Sequence, residues 1–353
     1  MPAKTAVVLF NLGGPDGPAA IQPFLFNLFN DPAIIGLPGP FRWLLAKLLA
    51  RRRAPVAREI YGHLGGGSPL PALTREQAAA LEAELNASGP DEYRAFVAMR
   101  YWHPFAHETA AEVEAFGPDR VVLLPLYPQF STTTTGSSIA DWYSAAEKRG
   151  IAAETRAICC YPLADGWIAA QADLLKRKLA EAGDAGPRVL FSAHGLPKKV
   201  VDKGDPYQWQ VEQTAEKLAG AVGLGPEDWR VCYQSRVGPL EWLAPSLDEE
   251  LERAAADETG VAVLPIAFVS EHSETLVELD IEYAARAREL KLPRYVRVPA
   301  VGTHPEFISA LAHQVRDPAQ RGDGPAPADG VRLCPEDRRK CPCRPRESMR
   351  NLP

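Results

Sequence analysis

Glu274, Glu278 and Glu282 recur every fourth residue in the stretch 270–283. On a helix that spacing puts three carboxylates on one face, with Leu276, Leu279 and Tyr283 on another. Like charges so placed cost an isolated helix roughly 0.2–0.5 kcal/mol per pair, with no gain in stability unless a cation or a proton travels along them. Far upstream, His194 ends an apolar run and is followed by Gly195, Leu196 and Pro197, which shape a loop. Neutral imidazole accepts protons near pH 7, and a chain of carboxylates passes protons on or guides a divalent cation. A solvated helix face and a satisfied structural histidine are the plain alternatives. A third reactive set is Cys334, Cys341 and Cys343, three of the six cysteines, in a Pro- and Arg-rich tail. Six thiols are too few for a disulfide scaffold in a chain of 353 residues, so that crowding points to a metal site.

These groups need elements to hold them. Residues 261–269 are continuously apolar, the mark of a strand buried on both faces of a parallel sheet, and the acidic row begins where this run ends. In open α/β sheets that edge is where ligands bind. Strands are also expected at 5–10, 93–99, 121–126 and 188–191, and helices at 74–86, 166–183, 207–221, 246–256 and 304–316. The first strand runs into Asn11-Leu12-Gly13-Gly14-Pro15, whose glycines allow close backbone approach. No G-x-G-x-x-G or G-x-x-x-x-G-K-[ST] pattern occurs, which weighs against dinucleotide and P-loop readings. The second ends in Arg100-Tyr101-Trp102-His103-Pro104, a cation and aromatics suited to a flat anionic ligand or equally to a packed corner.

Matches recur in order along the chain. Val8-Leu9-Phe10-Asn11 answers Val189-Leu190-Phe191-Ser192, Leu124-Pro125-Leu126 answers Leu264-Pro265-Ile266, and Arg100 answers Arg236. The expected fold is therefore α/β: two similar doubly wound, parallel-sheet, Rossmann-like halves facing across a cleft, residues 1–160 and 161–316, followed by a cysteine-bearing extension, 317–353.

Hydrophobic residues at 46% and charged residues at 24% suit a globular chain, and a net charge of −6 argues against general nucleic-acid binding. No apolar run reaches the length of a membrane span and no signal-peptide pattern opens the chain, so a cytoplasmic protein is expected. Residues 24–53 are unusually apolar and close on Arg51-Arg52-Arg53. Two short helices split at Pro38-Gly39-Pro40 would rest on anionic lipid, placing the protein peripherally on the inner face of the cytoplasmic membrane; a buried core helix is the competing reading.

Taken in order, Asn11-Leu12-Gly13-Gly14-Pro15, Gly65-Gly66-Gly67-Ser68-Pro69, Arg100-Tyr101-Trp102-His103-Pro104, Ser192-Ala193-His194-Gly195-Leu196-Pro197, Gly204-Asp205-Pro206-Tyr207, Gln234-Ser235-Arg236-Val237-Gly238-Pro239 and the acidic stretch resemble the ferrochelatases, which insert ferrous iron into protoporphyrin IX. The resemblance covers residues from about 5 to 316 and implies a chelatase-type fold. It implies that His194 and Glu274 are the catalytic pair that meets the iron substrate, and that Glu278 and Glu282 continue an acidic path to the surface. It implies a porphyrin pocket with Arg100, Tyr101, Leu12, Ser68 and the walls Tyr61, Trp242 and Phe268, and a mobile lip, 24–53, whose Arg52 binds a propionate. Leu12 stands where some members have Met, and Glu271 where some have Asp. A homodimer is compatible with the resemblance. A chelatase for another tetrapyrrole, coproporphyrin or a cobalt-accepting precursor, is the alternative within enzymes; a non-catalytic haem or iron sensor is the alternative outside them.

The tail also resembles that of ferrochelatases carrying a structural [2Fe-2S] cluster held by one internal and three C-terminal cysteines. Here the three would be Cys334, Cys341 and Cys343. Cys159 or Cys160, at the end of an expected strand, would supply the internal ligand, which the animal enzymes carry in the hydroxyl-rich loop where this chain has Thr132. A Cys₄ zinc site is the nearest alternative, and Cys232, inside an apolar strand, reads as a small buried hydrophobe.

Overall fold

The computed structural model describes residues 2–183, 186–236, 238–316, 325–327 and 330–343; Val237 and the rest of the 317–353 extension lie outside the described residues. The described residues of 1–160, 311–332 and 342–343 form one compact unit, and those of 161–310 with 333–341 form the other.

The first unit is built on β1 (Lys4–Asn11), β2 (Glu92–Met99), β3 (Arg120–Pro125) and β4 (Glu154–Ala157), all parallel in the order β2-β1-β3-β4. Val7, Val8 and Leu9 are wholly buried, as a central strand covered on both faces requires. The connections are α1 (Ile21–Phe29), α2 (Gly39–Gly62), α3 (Leu70–Asn86), α4 (Ala106–Phe116) and α5 (Thr135–Arg149). One face of the sheet packs Phe10, Phe96, Val121 and Leu123 against Ala110 and Val113 of α4 and Ile139 and Trp142 of α5.

The second unit repeats the plan. After α6 (Asp165–Ala182) come β5 (Arg188–His194), α7 (Lys198–Asp202), α8 (Tyr207–Val222), β6 (Trp229–Gln234), α9 (Leu247–Ala256) and β7 (Val261–Pro265). The short α10 (Ser273–Leu276), a π-helical turn at Glu278–Tyr283 and α11 (Ala284–Glu289) lead to β8 (Tyr295–Arg297), and α12 (Pro305–Arg316) follows, its residues from Leu311 on belonging to the first unit. The sheet order is β6-β5-β7-β8, again all parallel, so β1 and β5 hold the same central place. Local chemistry sets the helix ends: Ser246 and Glu249 exchange side chain-to-backbone bonds in a capping box that opens α9, and Gly223, at φ +87°, closes α8.

The structure corrects three expectations. The apolar run 261–269 is not one strand: β7 stops at Pro265, and the chain turns so that the Phe268 N–H donates back to the Pro265 carbonyl. The second lip helix does not close at Arg53; α2 continues through Pro55 to Gly62 and takes in Tyr61. Its buried side chains include the small Ala46, Ala50 and Ala54, while Phe41, Trp43, Leu44 and Leu48 are exposed, the reverse of an ordinary core-facing helix. The acidic stretch is not a single regular helix but passes from α10 into the π turn, where the N–H of Glu282 reaches the carbonyl of Val277.

Candidate active site

His194 is the last residue of β5 and sits level with Gln234, the last of β6. The Gly195 N–H donates to the Gln234 carbonyl at 2.7 Å, and a Cβ at Gly195 would lie 2.8 Å from that oxygen, so only glycine fits behind the histidine. Tyr207, at the start of α8, donates its hydroxyl to the His194 carbonyl. Across the strand end, Glu274 Oε2 lies 3.0 Å from His194 Nδ1, an ion-pair approach whose angle falls outside hydrogen-bonding range. His272 Nε2 is 3.5 Å from the same oxygen. Its Nδ1 lies 3.2 Å from the Ser270 carbonyl, and its ring centroid is 4.6 Å from that of Phe268. The side chains of His194 and Glu274 keep 40% and 27% of their surface open, so a ligand can reach the pair.

Gln234 organises what surrounds it. Ser192 Oγ donates to its Oε1, which orients the amide so that Nε2 donates to the Glu274 carbonyl and to Glu278 Oε2. Ser235 adds two donors to Glu278, its backbone N–H at 2.7 Å and its hydroxyl at 2.5 Å. Glu278 thus accepts three hydrogen bonds, while Glu282, four residues on, is exposed and its carboxylate accepts none among the described residues. Of the expected acidic path, the structure brings Glu274 and Glu278 together with His194 and leaves Glu282 outside. Trp242 pairs through its backbone with Pro197, and its ring edge would lie 3.3 Å from a Cβ at Gly195.

The three titrating groups pull apart in pKa. Burial alone would lower His194, but the Glu274 charge, with help from Glu278, raises it above an ordinary histidine. Burial would raise Glu274, yet His194 first and then His272 hold it far below the usual carboxylate range. Glu278 goes the other way: burial and the Glu274 charge push it up, against the pull of the Ser235 and Gln234 donors. One carboxylate stays ionised beside a histidine that readily charges, and the next holds a proton more easily than a normal glutamate.

In the first unit Arg100 and Tyr101, the expected ligand-facing pair, both meet Asp31. Tyr101 is 1% exposed and donates its hydroxyl to Asp31 Oδ2 at 2.8 Å, so its ring is not presented for stacking. Arg100 Nη2 stands 2.9 Å from the same oxygen, and Ser137 Oγ donates to it at 2.5 Å. Burial, then Asp31, pushes the Tyr101 phenol far up. Asp31 escaped the sequence reading, because a lone aspartate between apolar helices gives no sign that Arg100 and Ser137 will reach it. Leu12 follows Asn11, whose amide ties β1 to Thr74 of α3. Ser68 donates its N–H to the Pro15 carbonyl and packs on Gly14, where any Cβ would lie 2.4 Å from the Ser68 Cβ. Tyr61 is buried, and Arg52 is exposed on α2.

The family model for ferrochelatase matches residues 4–319. The chain is 55% identical over 345 residues to the ferrochelatase of Phenylobacterium zucineum, covering 97% of this chain and 98% of that one. It is 51% identical to the ferrochelatase of Hyphomonas neptunium, over 97% and 95% of the two chains. The chain belongs to the ferrochelatase family. A solved sirohydrochlorin chelatase, SirB from Bacillus subtilis subspecies spizizenii in complex with cobalt, shares the fold at a TM-score of 0.52 and 13% identity, over 89% of this chain and 94% of that one. As a ferrochelatase the chain is a metal chelatase, inserting iron into porphyrin in haem synthesis. That reaction must strip two N–H protons from the macrocycle.

Proposed function

We propose that the porphyrin is protoporphyrin IX, that ferrous iron is the metal, and that His194 and Glu274 carry the proton transfers. His194 accepts a pyrrole proton; Glu274, held ionised, stabilises the imidazolium and meets the incoming iron; Glu278 takes the proton onward. The observation that supports this is the 3.0 Å approach of His194 to Glu274 beside a Glu278 whose pKa is raised. Iron-insertion assays with protoporphyrin and coproporphyrin test the reading: protoporphyrin should turn over faster, and His194→Ala should abolish turnover while the chain still folds. The apolar lip favours the less polar of the two porphyrins, with Arg52 as its propionate contact. Exposed Phe41, Trp43, Leu44 and Leu48, next to Arg51–Arg53, support peripheral attachment to an anionic membrane by a protein with no described helix long and apolar enough to span one.

Cys334, Cys341 and Cys343 are buried, at 5%, 6% and 4% exposure, in a segment with no apolar core of its own. Gln210 Nε2 donates to Cys334 Sγ at 3.1 Å, a contact that suits a thiolate. Cys159 and Cys160 are buried just beyond β4, their sulfurs 3.3 Å apart. The donors fit a [2Fe-2S] cluster in chemistry and burial, although among the described residues no three His, Cys, Asp or Glu are grouped around one metal position. Such a cluster, bound by the three tail thiolates and Cys159 or Cys160, would crosslink the tail. The tail's own contacts within each unit include the Lys340 N–H donating to the Gly204 carbonyl and Ala326 pairing beside Ile158.

A further inference from the structure

The parallel register of the first sheet sets Thr5 level with Tyr93 and Arg120, and Val122 level with Arg156. These residues share one face at the sheet's N-terminal edge, while Ala6, Val8, Val121, Leu123 and Ala157 pack the core on the other. Over them the end of α12 brings Val315 and Arg316, closing a cavity of about 120 Å³. Three guanidiniums therefore line one small space. Arg156 pairs with Glu154 at 3.0 Å and Arg120 approaches Asp91 only to 3.8 Å, and those acids are 61% and 36% exposed, where ion pairs are weak. Arg316 donates through Nη2 to the Glu84 and Leu85 carbonyls and to Ser88 Oγ, and has no carboxylate partner among the described residues. Thr5 is 3% exposed, yet its Oγ1 has no hydrogen-bond partner among the described residues. A buried hydroxyl without a partner is unusual, and beside uncompensated guanidinium it marks the place of a missing acceptor.

The geometry points to a binding site for a phosphate-sized oxyanion, held by Arg120, Arg156 and Arg316 with Thr5 donating its hydroxyl. Planar guanidiniums pair with tetrahedral oxyanions through two N–H groups at once, which a chloride ion cannot reproduce. The cavity is well below the roughly 300–1,000 Å³ of pockets that take drug-sized ligands, so neither a porphyrin nor a nucleotide enters it. Thr5 precedes the strand-end Asn11 by roughly 20 Å of extended chain, so this site is separate from the ligand edge of its own sheet. Occupancy ties α12 to the sheet, and α12 is the last helix before the tail.

Inorganic phosphate titrated into the full-length protein at constant ionic strength, balanced with chloride, should raise Tm saturably and broaden the ³¹P resonance. Arg156→Gln and Thr5→Val should each weaken the apparent Kd for phosphate by about tenfold, while keeping iron-insertion rates that certify the fold. Thr5→Val keeps the side chain's shape and carries the test alone should the arginine variant fail to fold. A Tm response equal to that of chloride, or variants that bind phosphate as the unaltered chain does, overturns the proposal.

Discussion

Ser235 donates to Glu278 twice, through its N–H at 2.7 Å and its hydroxyl at 2.5 Å, and does so from a left-handed backbone at φ +62°. A side-chain-bearing residue held there costs roughly 1–2 kcal/mol, so the turn keeps a strained conformation that aims both donors at one carboxylate. Ser235→Ala removes the hydroxyl bond to a charged group, worth about 1.5–3 kcal/mol, and should cut kcat at least tenfold if that bond matters as much in turnover as in the resting site. Ser235→Gly loses the same hydroxyl but relieves the backbone, so it should melt above Ser235→Ala while lowering kcat as much. Steady-state rates and melting curves for the two variants separate the donor from the strain; an unchanged kcat in Ser235→Ala removes Glu278 from the proton route.

The pKa of His194 is raised and that of Glu274 is lowered, which gives the pair a defined pH window. Stability contributed by His194 is full below its unfolded value near 6.5 and is lost as pH rises through the higher folded value. Stability contributed by Glu274 is full above 4.5 and is lost as pH falls through its lower folded value. Their joint contribution is therefore greatest between about 4.5 and 6.5. Histidine NMR titration should put the His194 midpoint above 6.5, and Glu274→Gln should lower it. A midpoint that stays put in that variant would show that Glu274 does not govern His194.

Apolar runs made the strands legible: residues 6–10, 95–99 and 121–126 are apolar without a break, and helices between them left only a parallel sheet. His194 and Glu274 could be placed because each lies just beyond such a run. The π turn could not be read, since glutamates four apart suit a regular helix as well as an interrupted one. Asp31 was hidden for another reason: its partners Arg100, Tyr101 and Ser137 are distant in sequence, and only the folded first unit brings them to it. Gln234 and Ser235 were visible as a motif, but their donor roles depend on strand register.

Exposure on α2 makes the lip testable. Phe41, Leu44 and Leu48 are 68%, 63% and 62% exposed, and Arg51, Arg52 and Arg53 follow on the same helix. Each arginine near an anionic surface contributes about 1 kcal/mol, so binding to phosphatidylserine vesicles should weaken as salt rises. Replacing Phe41, Leu44 and Leu48 with Ser removes apolar area that already faces solvent, so the protein should remain folded and leave the vesicles. Co-sedimentation that survives both the triple substitution and high salt would rule out this face as the attachment site.

Cys341 offers the sharpest test of the tail. It is buried in a nine-residue segment, 333–341, that belongs to the second unit, whereas Cys343 belongs with the first. A charged, Pro-rich segment has little reason to order itself, and its thiols have little reason to be buried, unless something binds them. Anaerobically purified protein should be red-brown, contain acid-labile sulfide, and lose its visible absorption in Cys341→Ser. Substituting Cys159 and Cys160 one at a time identifies the internal ligand, because only one loss should bleach the protein. Gln210→Leu, which removes the N–H donated to Cys334, should leave the cluster in place but shift its reduction potential downward, since a hydrogen bond to sulfur favours the reduced form. Colourless protein with stoichiometric zinc and no labile sulfide would replace the cluster with a Cys₄ zinc site.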